Sequence, residues 1–487
     1  MKSLELCMTL TAAAVSSVLL ALPNDQMVDF EIINAAISLS IMVTLSVKAF
    51  NLVRCDVNNL FSAAVWFRIS TIVYFGFGNL VPIIIGPEGE SRIRGTYDFT
   101  ESELLKSNLL ILVSVSTIIF AISISAGWYR SILSRTTFLR NDRNKFSTQT
   151  LAKGSVVIGG IFRYSVKLPH ILGTTDSLLP AIFDSLGLLF YTGLFLLTVN
   201  CFRLAGKGAL AVSVIVLFEI AVSISTFSKT ELFLLIVILI LAAIWSRVNL
   251  KLAVVGLILG MLTYLVITPI VNSGREYMLY RYQSLGGAGL SERLELITNF
   301  ASGSALLSVS EIPTFDYAIL RLSYSNVSTF LINQYDTLKP GNTFENVLIV
   351  LIPRIFWPGK PIISAQGIDL TELINGSRTS STGAGIFADS YWNYGWAGVV
   401  ITMFIYGIIL SGISQLSLLI MRRERWFLFP FVLAGIKFGM RVDGTVSGDI
   451  VGPFGIMITL LACLVLIERV FKKRTRTQGV SVITERS

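Results

Sequence analysis

The stretch LLILVSVSTIIFAISISAGW, residues 109 to 128, runs for twenty positions without a charge. About 20 apolar residues in a helix cross the hydrocarbon core of a bilayer, and a soluble domain has no use for many such segments. Runs of this kind recur along the chain: hydrophobic residues fill 53% of 487 positions and charged ones only 14%. Strands of a membrane barrel would instead be about ten residues long with alternating polarity. The chain therefore reads as an all-α polytopic membrane protein.

The apolar segments place spans at 7–22, 31–53, 61–85, 108–127, 154–172, 185–200, 208–227, 232–247, 251–272, 396–420, 426–441 and 450–471, twelve in all. Residues 7–22 are read as a retained first helix rather than a cleaved signal. Arg163 and Lys167 interrupt the fifth span, and Lys437 the eleventh. Charge sets the expected orientation. Lys48, Arg54, Arg130, Arg135, Arg140, Arg143, Arg203, Lys207, Arg247, Lys251, Arg422, Arg423 and Lys472 to Arg474 crowd the loops on one side, while loops 23–30 and 173–184 carry neither Lys nor Arg. By the positive-inside bias both termini are cytoplasmic, in what is expected to be a bacterial inner membrane. The +9 net charge mostly records that bias, and no nucleic-acid partner is expected.

Four regions follow: a nine-helix part at 1–272, an external segment at 273–395, three helices at 396–471 and a basic tail at 472–487. A connector of about 120 residues is too long to be structureless without function. Leu320, Tyr324, Val327 and Leu331 recur at helical spacing within it, with Arg321, Ser325 and Ser328 pointing elsewhere. Thr343 to Trp357 reads as another short helix, stopped at Pro353. These pieces are expected to lie on or dip into the outer leaflet.

Chemistry is sought in that segment. PRIFWPGKP, residues 353–361, holds Arg354 and Lys360 in a proline-bounded turn, at the depth of a lipid pyrophosphate. Guanidinium offers a fork matched to phosphate oxygens and ammonium a compact charge. Arg275, Arg281, Arg321 and Arg378 are further cations of the segment, with ordinary ion pairing as the competing reading. Trp357 reads equally as an interfacial belt residue. GSRTSSTGAGIFADSYWNYGWAG, residues 376–398, could hold an anion on its amides, and Asp389, Tyr391 and Asn393 are of the kind that bind sugars. Arg163 and the Arg441, Asp443 pair bring charge to membrane depth, which is costly and usually paired or functional. The single histidine, His170, excludes a His-rich metal site and is read as a membrane-edge residue rather than the base of a Ser-His-Asp triad, and Cys7, Cys55, Cys201 and Cys463 form no CxxC or disulfide framework.

Pro353-Arg354, Trp357-Pro358, Lys360-Pro361 and then Asp389-Ser-Tyr391-Trp-Asn393-Tyr394-Gly395 with Gly398 resemble the bacterial Wzy-type polymerases of O-antigen and capsule repeat units. Members more often carry glutamate at the position of Asp389 and Phe at that of Tyr394. The resemblance covers about 50 residues, with hydropathy layout alone matching elsewhere. It implies a GT-C-like, inverting glycosyltransferase that uses undecaprenyl-pyrophosphate-linked oligosaccharide as donor and acceptor. No cofactor or metal is expected, and a chain-length regulator is a further expected partner. In that reading Arg354 and Arg275 stabilise the leaving group and Asp389 takes the acceptor proton. Lys360, Arg321, Arg281, Arg378, Tyr391, Asn393, Trp357 and Arg163 bind substrate. A flippase for the same lipid and an O-antigen ligase are the alternatives.

Overall fold

The computed structural model describes residues 30–81, 99–136, 147–172, 181–204, 208–246, 289–301, 319–345, 347–352, 365–376 and 382–484, with positions 84, 97, 206 and 357 and scattered ones between 255 and 278. Among these residues the structure is helical and contains no strand.

Helix α1 spans Phe30–Cys55 and stops at Asp56, whose side chain accepts from the Asn58 amide at 2.9 Å. Helix α2, Ala63–Thr71, passes into a π-turn at Ile72–Phe77. Helix α3 spans Glu101–Arg135 and begins at a reciprocal cap between Thr100 and Glu103. Its acids at the start and Arg135 at the end complement the helix dipole. Helix α4, Thr148–Gly160, widens into a π-segment at Ile161–Lys167. Then come α5, Leu188–Arg203; α6, Ala209–Ser225; and α7, Lys229–Trp245. Shorter helices follow: α8, Leu290–Ala301; α9, Ser325–Asp336; and α10, Ala365–Asn375. The late part holds α11, Ile386–Arg422; α12, Phe429–Met440; and α13, Gly452–Thr484.

Among the described residues four helices are long and apolar enough to cross a membrane: α1, α3, α11 and the stretch Val446–Arg469. Their length and composition mark a membrane protein. At 1.5 Å per residue, α3 reaches about 52 Å, well beyond the ~30 Å hydrocarbon core. On α6, Leu210, Val214, Leu217 and Phe218 form an exposed apolar stripe, which lipid rather than water would cover. The expected spans that fall on described residues coincide with helical segments. Span 7–22 and most of 251–272 lie outside those residues.

Lipid tails are as apolar as leucine, so helices in a bilayer associate through close packing rather than burial alone. Glycine makes that possible between α4 and α5. A Cβ on Gly193 would sit 2.6 Å from the Val156 amide nitrogen and 2.7 Å from the Ala152 carbonyl oxygen. Phe61, Phe195, Trp245, Trp426 and Phe429 interlock, with Phe195 stacked on Phe429 at 4.4 Å between centroids.

Two local expectations are corrected. The described residues between Thr343 and Ile352 form turns and one 3-10 turn at Ile349–Leu351 rather than a continuous helix. Ile352 is extended (φ −74°, ψ 120°), as a residue before proline must be. Helix α9 does not lie on a surface: Ser325, Val327, Ser328, Thr329, Phe330, Leu331 and Ile332 are all buried. Ser325 donates to Asn79 Oδ1 at 3.1 Å, so a polar side chain that the periodicity turned away from the apolar face is satisfied inside.

Candidate functional site

One end of the bundle gathers the starts of α3 and α11, the end of α9 and the loop 441–449. The Ile386 amide donates to the Val442 carbonyl at 3.1 Å and the Gly385 amide to the Asp443 carbonyl at 2.9 Å. Those two donors at the start of α11 are therefore already bonded to protein, and the suggested anion site on them is occupied by backbone. Asp389, one turn on, has no exposed surface. Its Oδ1 accepts from Thr343 Oγ1 at 2.6 Å and its Oδ2 from the Val446 amide at 2.7 Å. Asn393 Nδ2 donates to the Asp389 carbonyl at 2.7 Å and to Thr343 Oγ1 at 2.6 Å. Ser447 and Gln366 both donate to the Thr343 carbonyl at 2.9 Å. This group cross-links four separate segments of the chain, around Thr343, Gln366, Asp389 and Val446.

The motif glycines acquire a physical role here. Tyr394 and Gly395 leave helical geometry, Gly395 at φ +58°. The Tyr335 ring lies 2.8 Å from where a Cβ of Gly395 would stand, so both conformation and space require glycine. A Cβ on Gly398 would lie 2.6 Å from the Ser390 carbonyl oxygen. The kink turns Tyr394 and Trp396 outward, 61% and 42% exposed.

Tyr391 is buried, and its hydroxyl donates to Asp336 Oδ1 at 2.9 Å. Lys106 pairs with the other oxygen of Asp336 and lies 5.1 Å from the Tyr391 ring centroid. On the neighbouring loop Tyr324 donates to Asp443 Oδ2 at 3.2 Å, and the Gly444 amide to Asp449 Oδ2 at 2.7 Å. Burial, then the Asp443 carboxylate, holds the Tyr324 hydroxyl well above the ordinary phenol range. Arg441 approaches Asp449, at 4.0 Å, rather than forming the expected local pair with Asp443.

Among the residues singled out from the sequence, Asp389, Tyr391 and Asn393 thus come together. Arg321 is exposed in the turn before α9, and Trp357 is exposed. Arg354, Arg275, Lys360, Arg281 and Arg378 lie outside the described residues. Arg163 lies elsewhere, in the π-segment after α4. Its Nε and Nη2 donate to Glu219 at 2.9 and 2.7 Å, and its Nη1 to Glu231 Oε2 at 2.8 Å. Lys167 Nζ donates to Glu231 Oε1 at 2.7 Å, Tyr191 OH to Glu231 Oε2 at 2.8 Å, and Tyr164 OH to Glu219. Two cations from the π-segment after α4 and two anions from α6 and α7 are matched inside the bundle.

Thr343, Lys106, Asp336, Glu219 and Glu231 were not singled out from the sequence. Glu219 had a signal: it is an acid inside the apolar run of α6, which needs a cation nearby. Lys106 and Asp336 had none, being ordinary charges at helix ends. Among the described residues no group of three or more His, Cys, Asp or Glu could hold a metal ion.

Residues 152–421, more than half of the 487, match the family model described as Domain of unknown function (DUF8712), and the chain belongs to that family. No curated protein and no solved structure matches the chain.

Proposed function

We propose that this member of the DUF8712 family is a GT-C-like membrane glycosyltransferase that joins undecaprenyl-pyrophosphate-linked oligosaccharide units into a surface polysaccharide. The observation that carries the reading is the folded form of the stretch Asp389 to Gly398. The residues that resemble the polymerase motif fasten three segments at one end of the bundle and set polar and aromatic groups at its rim. In this reading all twelve expected segments span the membrane and both termini are cytoplasmic. Asp56, Arg422 and Arg423 share the opposite end with Arg54 and Arg135, which supports the positive-inside orientation.

The reaction balances without a cofactor. The acceptor hydroxyl oxygen bonds to the anomeric carbon of the donor as the bond from that carbon to pyrophosphate breaks, its electron pair leaving on phosphate. Prepositioned cations stabilise this charge, and losing one such donor typically costs about 3–4 kcal/mol, or 10²–10³ in rate. Arg354, with Arg275 and Lys360, is assigned that task. The acceptor proton passes to a base at the site; Asp389, the carboxylate that the motif supplies, is buried with both oxygens bonded to protein and is read as a clamp on the surrounding segments. Arg163, saturated by two glutamates, has no part in it.

The test is to incubate reconstituted protein with lipid-linked repeat units and resolve the products by chain length. A ladder is expected from the wild type, and only single units from Arg354→Ala at equal protein level. Normal ladders from that variant would remove Arg354 from the mechanism; no ladder from active membranes containing the wild type would remove the polymerase reading.

A second reading, translocation of the same lipid, is favoured by the Arg163–Glu219–Glu231–Lys167 cluster in a widened helix. Matched charges in broken helices at membrane depth are common in transporters. Vesicles that move a labelled lipid-linked unit between leaflets without extending it would establish this reading instead.

A further inference from the structure

The pair Lys106–Asp336 has no explanation in stability. Its side chains are 35% and 39% exposed, and ion pairs at such sites contribute about 0–1 kcal/mol. Yet three elements distant in sequence build it: the first turns of α3, the last residue of α9 and the start of α11. The surroundings are specific too. The Tyr391 ring has Lys106 on one side, Tyr335 at 5.2 Å and Trp396 at 5.5 Å between centroids. One turn back on α9, Asn333 donates to Glu103 Oε1 at 2.9 Å and to the Tyr97 hydroxyl.

We infer that Lys106 and Asp336, backed by Tyr391 and flanked by Trp396, form a saccharide-binding subsite. A carboxylate offers about four lone-pair sites and an ammonium three donors. Asp336 uses two acceptor positions on Tyr391 and Lys106, which leaves capacity for vicinal hydroxyls. Sugar hydroxyls both donate and accept, so a carboxylate and an ammonium held side by side can receive an adjacent pair. The C–H face of a pyranose is apolar and matches the exposed indole of Trp396 (42%). The buried Tyr391 fixes the carboxylate from behind, so the subsite is organised before a ligand arrives. Where the polymerase reading holds, and on that reading alone, the occupant is the non-reducing end of the acceptor glycan.

The test uses the full chain in nanodiscs, titrated by calorimetry with oligosaccharides from partial acid hydrolysis of the source cells' own surface polysaccharide. The wild type is expected to bind them. Asp336→Asn, Lys106→Met and Trp396→Leu are each expected to weaken binding at least tenfold with unchanged thermal melting. Wild-type protein that binds no fragment, or variants that bind as the wild type does, would overturn the subsite; the latter would leave Trp396 as an interfacial anchor only. A parallel ladder assay separates the two proposals. Fragment binding without polymer removes the polymerase reading and keeps the subsite, whereas polymer without fragment binding does the reverse.

Discussion

Replacing Asp389 separates a carboxylate that does chemistry from one that holds the fold. It is wholly buried, and both oxygens take short hydrogen bonds, from Thr343 Oγ1 at 2.6 Å and the Val446 amide at 2.7 Å. Bonds to a charged group are worth about 1.5–3 kcal/mol each, and a buried donor left without a partner costs a similar amount. Asp389→Ala removes both acceptors, and the expected loss is about 3–6 kcal/mol. Asp389→Asn keeps one carbonyl oxygen for the amide of Val446, and the Thr343 hydroxyl can rotate to accept from the new NH₂. Its expected cost is about 1–2 kcal/mol. The assay pairs thermal unfolding of purified protein in detergent with polymer yield per folded molecule. If Asp389 is a clamp, Asn lowers the melting temperature modestly and retains most of its activity, while Ala loses folded protein. An Asn variant that melts like the wild type and makes no polymer would refute this reasoning and identify Asp389 as the proton acceptor. An Ala variant with unchanged melting would refute the clamp outright.

Three further outcomes follow from the packing. Arg163→Met strands Glu219 in the bundle and should cost about 3–5 kcal/mol, most of which the double variant with Glu219→Gln recovers; additive losses in a double-mutant cycle would refute the coupling. Gly193→Leu should separate α4 from α5 and abolish monodisperse protein on size exclusion, whereas Gly127→Ala, with open space around it, should behave as wild type. For Asp56, burial opposes ionisation, but Arg422 and the Asn58 amide outweigh it and hold the carboxyl below its ordinary value of 3.8. The stabilisation from that pair is therefore present above pH 3.8 and fades as pH falls through the lower folded value. With Arg422 57% exposed it amounts to about 1 kcal/mol or less, so Arg422→Gln should lower the melting temperature slightly at pH 7, and by less as the pH is brought progressively below 3.8. A difference that grows with acidity would reverse this sign.

Hydropathy alone made the helices legible, because an apolar run near the thickness of a bilayer leaves the backbone no alternative to bonding within its own segment. The stretch from Asp389 to Gly398 was visible for the same local reason: a polar, glycine-containing lead-in stands out against an apolar helix. What the sequence could not carry was partnership. Arg163 showed itself as a cation in a span, but the glutamates that neutralise it stand 56 and 68 residues away. Lys106 and Asp336, 230 residues apart, look like two ordinary surface charges until the fold sets them beside Tyr391. Periodicity turned Ser325 away from the apolar face because it counts polarity, while only the packed structure supplies Asn79 as its acceptor. Local physics decides which segments become helices; which side chains meet depends on contacts that no window of sequence contains.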